Sequence, residues 1–258
     1  MKKKILGYCL LSSFPLFLLL ANGCSKEEKK LNYSGHKKPL ESSKITVSDS
    51  PDKMETSTEL KKDITDFVPD GYNMTEKSFG DLNKDGTEDC IMIIKKIDPA
   101  NIVNDKYRGK LDRNRRGIIV LFKKEGGYEL ASENRNCFSS ENEDGGVYYA
   151  PELLVSAEKG NLKVHYAHGR YGYWNYTFRS THSDFELIGY DMSSNTGPRV
   201  NSMTSINFLT GKRLDKTNVA EGDDDEVFED QWTKIKPMKP ITLSGVKDFD
   251  ELDFTSPN

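Results

Sequence analysis

Residues 153–190 read Leu-Leu-Val-Ser-Ala-Glu-Lys-Gly-Asn-Leu-Lys-Val-His-Tyr-Ala-His-Gly-Arg-Tyr-Gly-Tyr-Trp-Asn-Tyr-Thr-Phe-Arg-Ser-Thr-His-Ser-Asp-Phe-Glu-Leu-Ile-Gly-Tyr. Short apolar runs alternate with polar residues at period two, and Gly, Asn, Ser and Asp punctuate them. This is the pattern of half-buried strands joined by tight turns. Leu153–Ala157 and Leu162–Tyr166 flank Glu158–Asn161, which predicts a hairpin. Tyr173–Arg179 then puts Trp174, Tyr176 and Phe178 on one face, where alternation assigns them to the core. Phe185–Tyr190 returns after the turn Ser180–Asp184.

The same reading extends in both directions. Ile118–Phe122 and Tyr128–Ala131 flank a Lys123–Gly127 turn, and Ser205–Leu209 and Arg213–Asp215 flank Thr210-Gly211-Lys212. Ile91–Lys95 is apolar until its end, as in a strand buried on both faces. Helix signals are confined to Thr58–Phe67, before Pro69, and to Val246–Leu252. Asp223–Asp225 reads as a solvated acidic loop. The predicted fold is mainly β, with antiparallel sheets of short hairpins and one or two short helices.

Chemistry concentrates in residues 81–89, Asp-Leu-Asn-Lys-Asp-Gly-Thr-Glu-Asp. Asp81, Asn83, Asp85 and Asp89 carry oxygen at loop positions 1, 3, 5 and 9, Thr87 can add its carbonyl, and Gly86 permits the reversal that wraps a hard cation. The cofactor this predicts is structural Ca²⁺. An Asn/Asp-rich turn holding no ion is the alternative. An EF-hand would need glutamate at position 12, where this chain has Met92.

Phe79-Gly80-Asp81 before this loop and Ile91-Met92-Ile93-Ile94 after it resemble the FG-GAP and VCBS-like calcium loops of β-propellers. A propeller repeats its motif in every blade, whereas Phe79–Lys96 occurs once and Glu141–Gly146 only loosely echoes it, so a full propeller is not expected. Over most of residues 65–215 the order of elements is similar to a family of bacterial lipoproteins that carry a single such loop and have no assigned activity. The matching pieces are Gly80–Asp89, Gly145-Gly146 with Pro151, Tyr171–Arg179, Phe185–Gly189 and Ser205–Gly211.

The N-terminus is consistent with that resemblance. Lys2, Lys3 and Lys4 precede an apolar stretch, Ile5–Leu20, that Pro15 interrupts, and Ala21-Asn22-Gly23-Cys24 closes it. The closing residues resemble a lipobox, in which residues 1–23 are a signal peptide and Cys24 carries the lipid. Asn22 departs from the usual small uncharged residue there. Ser25 is compatible with outer-membrane retention, and Lys26-Glu27-Glu28 resembles a surface-export signal, with the periplasmic face as the alternative.

Residues 24–57 are rich in Lys, Glu, Ser, Thr and Pro and read as a flexible charged tether. Residues 58–258 then form a single domain of about 200 residues, long enough for a substantial core. Removing Lys2, Lys3 and Lys4 from the 37 basic residues leaves 34 against 41 acidic, a net charge of −7. Nothing in that balance points to nucleic acid. Cys90 and Cys137 remain; an oxidising compartment would allow a disulfide between them, and two buried thiols is the alternative.

For function, His165–Phe178 gathers aromatic and polar side chains. Arg170, Tyr171 and Tyr173 lie off the core face or in the preceding turn, and are the candidate ligand-binding residues. Rings that stack on sugar faces, with Arg and His donating to hydroxyls, would make a carbohydrate-binding face. His165 and His168 fall on opposite faces of a strand, no nucleophile elbow is present, and no catalytic residue is assigned. The expected function is a lipid-anchored binding module for a glycan or protein ligand. The alternatives are a structural envelope component that partners other proteins and, further behind, a carbohydrate-active hydrolase.

Overall fold

Ile91 and Ile93 pack into one hydrophobic cluster, while Cys90, Met92 and Ile94 pack into another. These five residues belong to strand β2 (Asp89–Lys96), so the continuous apolar run is a strand buried on both faces. Its neighbour β5 (Arg116–Lys124) behaves likewise, with Ile118 and Val120 on one face and Ile119 and Leu121 on the other. The computed structural model describes residues 59–142, 152–222, 225–252 and 254. The signal and lipobox, the tether, Asp223 and Asp224, and most of Glu141–Gly146 lie outside the described residues.

Strands β1 (Tyr72–Gly80) and β6 (Gly127–Phe138) complete a four-stranded antiparallel sheet in the order β1-β2-β5-β6. The hairpin β3 (Ile102–Asp105) and β4 (Gly109–Asp112) stands apart from it. A second sheet has seven antiparallel strands in reverse chain order. They are β7 (Glu152–Glu158), β8 (Asn161–Ala167), β9 (Gly172–Ser180), β10 (Phe185–Thr196), β11 (Arg199–Asn207), β12 (Lys212–Asn218) and β13 (Phe228–Lys234). Neither sheet closes into a barrel or repeats as propeller blades.

The two sheets share the larger core. Ile93, Ile118 and Phe138 of the first pack in one cluster with Val164, Tyr166, Tyr176, Phe178 and Phe185 of the second. The alternating face Trp174-Tyr176-Phe178 does point inward: Tyr176 and Phe178 are buried, and Trp174 packs half-buried at the edge of the cluster. In β10 the inward set changes phase. A bulge between Leu187 and Gly189 moves the core face from Phe185 and Leu187 to Tyr190 and Met192, which a strict period of two would turn outward.

The expected helices reduce to single 3-10 turns. Ile64–Phe67 is capped by the Asp63 carboxylate and Phe249–Glu251 by Asp248. The first of these segments, with Val68, Tyr72 and Met74, covers the outer face of the four-stranded sheet. The second contributes Phe249, stacked on Phe138 at 4.8 Å, while Tyr176 Oη donates to the Phe249 carbonyl at 3.0 Å. Each segment thus holds its place by one or two apolar anchors rather than by a helical stripe.

The seven-stranded sheet is wider than its partner. The shared cluster takes buried residues from β7 through β11 and none from β12 or β13. The inner face of this overhang carries Arg213, buried and hydrogen-bonded to Asp215 and to the carbonyl of Phe254.

Candidate functional site

The loop Asp81–Glu88 is the connection of the β1–β2 hairpin, whose last pair is Gly80 with Asp89. Leu82 turns into the core at 1% exposure and anchors the loop from below. The Asp81 carboxylate accepts from the amides of Lys84 at 2.6 Å, Asp85 at 3.2 Å and Gly86 at 3.0 Å. Asn83 Oδ1 accepts from the amide of Asp85, and Asp85 accepts from the amide of Thr87 and from Asn83 Nδ2. Wrapping the amides around these oxygens requires two left-handed residues, Lys84 (φ 64°) and Gly86 (φ 85°). Gly86 adopts that conformation freely, and Lys84 is a strained exception.

Asp89 behaves differently. It is fully buried, and its two oxygens accept from the amides of Leu82 (2.8 Å) and Lys123 (3.0 Å), tying the loop to the neighbouring β5–β6 hairpin. Burial pushes its carboxyl above the usual range against those amides, and the nearby Asp85 charge adds to the rise. Asp85 itself is held low by the Thr87 amide and by Asn83.

Among the described residues, no three Asp, Glu, His or Cys side chains gather as a metal-binding group. The donors here are nevertheless all oxygen, one of them from an asparagine, and an oxygen that accepts one N–H keeps a second lone pair. This donor chemistry fits a hard cation such as Ca²⁺. What the structure already shows is a loop that closes on its own main chain.

The predicted ligand-binding residues lie at the β8–β9 connection. Gly169–Tyr171 is a 3-10 turn, Arg170 and Tyr171 are exposed, and Tyr171 is 46% accessible. Tyr173 is half-buried on β9, beside the ring of His165 at 5.5 Å. His165 Nδ1 is hydrogen-bonded to Asn175 Oδ1. His168, at the end of β8, is separate from His165 and stacks on Trp174 at 3.8 Å.

The strands that flank this turn carry a feature that the sequence pattern does not reveal. Tyr166 Oη, His168 Nε2 and Trp174 Nε1 are all buried with no hydrogen-bond partner. Their rings lie within 6.4 Å of one another. Burial lowers the His168 pKa, which favours the neutral ring. A buried polar atom left unpaired costs about 1–3 kcal/mol, so each of the three calls for a partner. Tyr166 and Trp174 sit on the core face by alternation, and that reading hides their polar tips.

Cys90 and Cys137 are both free and buried, and they belong to different core clusters. Of the two alternatives, the structure therefore has two thiols. Burial raises the pKa of Cys90 to about 11 and that of Cys137 further. Among the described residues, no helix is long and apolar enough to cross a membrane. Comparison with known proteins found no matching family model, no matching curated protein and no matching solved structure.

Proposed function

We propose that the chain is a lipid-anchored cell-envelope protein whose β domain is a binding module for a hydroxyl-rich ligand, with glycans as the best-fitting class. The observation that carries this reading is the exposed Arg170-Tyr171 turn, which leads directly into the half-buried Tyr173 of β9. Aromatic rings offer apolar faces to sugar C–H groups, while a guanidinium supplies hydrogen bonds to hydroxyls.

The anchor is Cys24 in the lipobox-like segment, with Ser25 and Lys26-Glu27-Glu28 favouring the outer membrane and its exterior face. The loop Asp81–Asp89 takes Ca²⁺ in a structural role, with Asp81, Asn83, Asp85, Asp89 and the Thr87 carbonyl as the candidate oxygens. When bound, the ion would neutralise carboxylates crowded into nine residues.

A glycan array probed with the purified protein tests the binding reading. Tyr171→Ala and Arg170→Ala should each weaken a positive signal at least about tenfold, about 1.4 kcal/mol, without lowering the melting temperature. An array with no signal, combined with crosslinking to envelope proteins, would replace this reading with the structural one. Loss of labelled-palmitate incorporation in Cys24→Ala tests the anchor, and incorporation that persists would refute it.

A further inference from the structure

The segment Lys234–Ile241, Lys-Ile-Lys-Pro-Met-Lys-Pro-Ile, leaves the end of β13 as a strap that returns to β10: the Ile235 amide donates to the Gly211 carbonyl and the Leu187 amide to the Ile241 carbonyl. A cavity of about 430 Å³ lies between this strap, Leu187 and the Phe208–Gly211 turn. A second, of about 250 Å³, lies where Ile206, Arg213 and Phe254 meet the same strap. Both are bounded by Phe208 and by Ile235–Met238. The larger volume falls within the range of small-molecule sites.

The lining is chemically divided. Leu187, Phe208, Ile235, Met238 and Ile241 make it apolar, and Met238 is still 44% exposed at its margin. Lys234, Lys236 and Lys239 stand around it, and Lys212, the cross-strand partner of Lys234, extends the basic rim. These lysines are exposed, and among the described residues none has a carboxylate partner, in a chain whose net charge is −4. The acidic residue at the cavity, Glu186, is already paired with Arg179 at 3.4 Å. A neutral apolar ligand would leave the concentrated positive charge unanswered, and a small anion would leave the apolar wall wet. The occupant that satisfies both is an acyl chain ending in an anionic head.

We propose that this cavity binds a single-chain anionic amphiphile, with its hydrocarbon along Phe208, Ile235 and Met238 and its head group among Lys234, Lys236 and Lys239. The site is at the opposite end of the seven-stranded sheet from the Arg170-Tyr171 turn, because β9 pairs Gly172 with Ser194 at one end and Ser180 with Phe185 at the other. Its occupancy therefore stands or falls independently of the glycan reading.

The test is titration calorimetry on the full chain carrying Cys24→Ser, so that no acyl group of its own competes. The probes are dodecanoate, dodecyl phosphate, dodecyl maltoside and dodecyltrimethylammonium, all below their micelle concentrations. Both anions should bind saturably and at least about tenfold more tightly than the maltoside, about 1.4 kcal/mol, and the cationic chain should give no signal. The double variant Lys236→Glu/Lys239→Glu should weaken the anions by a similar factor, and raised salt should do so as well. Met238→Asp, at a position 44% exposed, should abolish binding. Equal binding of all four probes would overturn the proposal. So would a heat signal seen only with phosphatidylglycerol vesicles, since that would mean that a membrane surface, not a single chain, is recognised.

Discussion

Replacing Asp89 by alanine should destabilise the protein far more than removing any other carboxylate of the Asp81–Asp89 loop. The carboxylate is fully buried and accepts the amide of Leu82 in the β1–β2 connection and that of Lys123 on β5. Alanine leaves both donors without an acceptor. Hydrogen bonds to a charged group contribute about 1.5–3 kcal/mol each, and relief of the buried charge offsets part of the loss, so the expected net cost is about 3 kcal/mol. Asn has one acceptor oxygen and would turn its amide group toward one of the two donors, placing Asp89→Asn between wild type and Asp89→Ala. Asp85, exposed and bonded within the loop, should cost much less in the absence of metal. Urea unfolding followed by tryptophan fluorescence, with an unchanged m value, measures these differences. The same curves with Ca²⁺ at 100 times its Kd should gain about 2.7 kcal/mol in wild type, a gain that Asp85→Ala should lose. An Asp89→Ala cost below about 1 kcal/mol, or a chelator curve in which Asp85→Ala equals Asp89→Ala, would refute the assignment of Asp89 as the structural node.

Gly172, between Tyr171 and Tyr173, has φ 109°, and a Cβ there would overlap the Ser193 carbonyl. Gly172→Ala should therefore cost about 3 kcal/mol or more in the same assay, and a near-neutral result would contradict this backbone. Asp184 accepts from Ser132 Oγ at 2.6 Å, from the Phe185 amide at 2.8 Å and from Ser244 Oγ, joining β6, β10 and the Leu243–Gly245 turn. Burial opposes its charge, but these donors outweigh burial and hold the carboxyl below its usual value. Its contribution is thus complete above the unfolded-state pKa of about 3.9 and lost as pH falls through the lower folded-state value. Asp184→Asn should flatten that part of the stability profile between pH 5 and 2 as judged by melting temperature, and an unchanged slope would count against this role. Cys90 and Cys137 should react with a thiol reagent only after unfolding, even without prior reduction; a reagent-silent unfolded chain would mean that they are joined.

Several features were legible in the residues alone because they are local. Alternation at period two marked the hairpins from Leu153 to Tyr190, and an unbroken apolar run marked β2 as buried on both faces. The offsets of Asp81, Asn83, Asp85 and Gly86 marked a tight oxygen-lined turn, which the hydrogen bonds of that loop display. Strands β1 and β13 escaped notice because their sequences, Tyr-Asn-Met-Thr-Glu-Lys-Ser-Phe-Gly and Phe-Glu-Asp-Gln-Trp-Thr-Lys, are largely solvent-facing edges without a regular apolar face. The β10 bulge hid the true inward set past Leu187 in the same way.

Tertiary structure alone decided the rest. Whether Cys90 meets Cys137 depends on which face of a sheet each strand presents, and they belong to separate clusters. Whether Asp89 is a free oxygen or a structural one depends on Lys123, which lies 34 residues away in the chain. The unpaired tips of Tyr166, His168 and Trp174, and the lysine-rimmed cavity under Lys234–Ile241, arise where a seven-stranded sheet meets other chain at its ends and overhangs a four-stranded one. Local pattern fixes a residue's face within its own strand, but the partner that face meets is set by how separate strands are brought together.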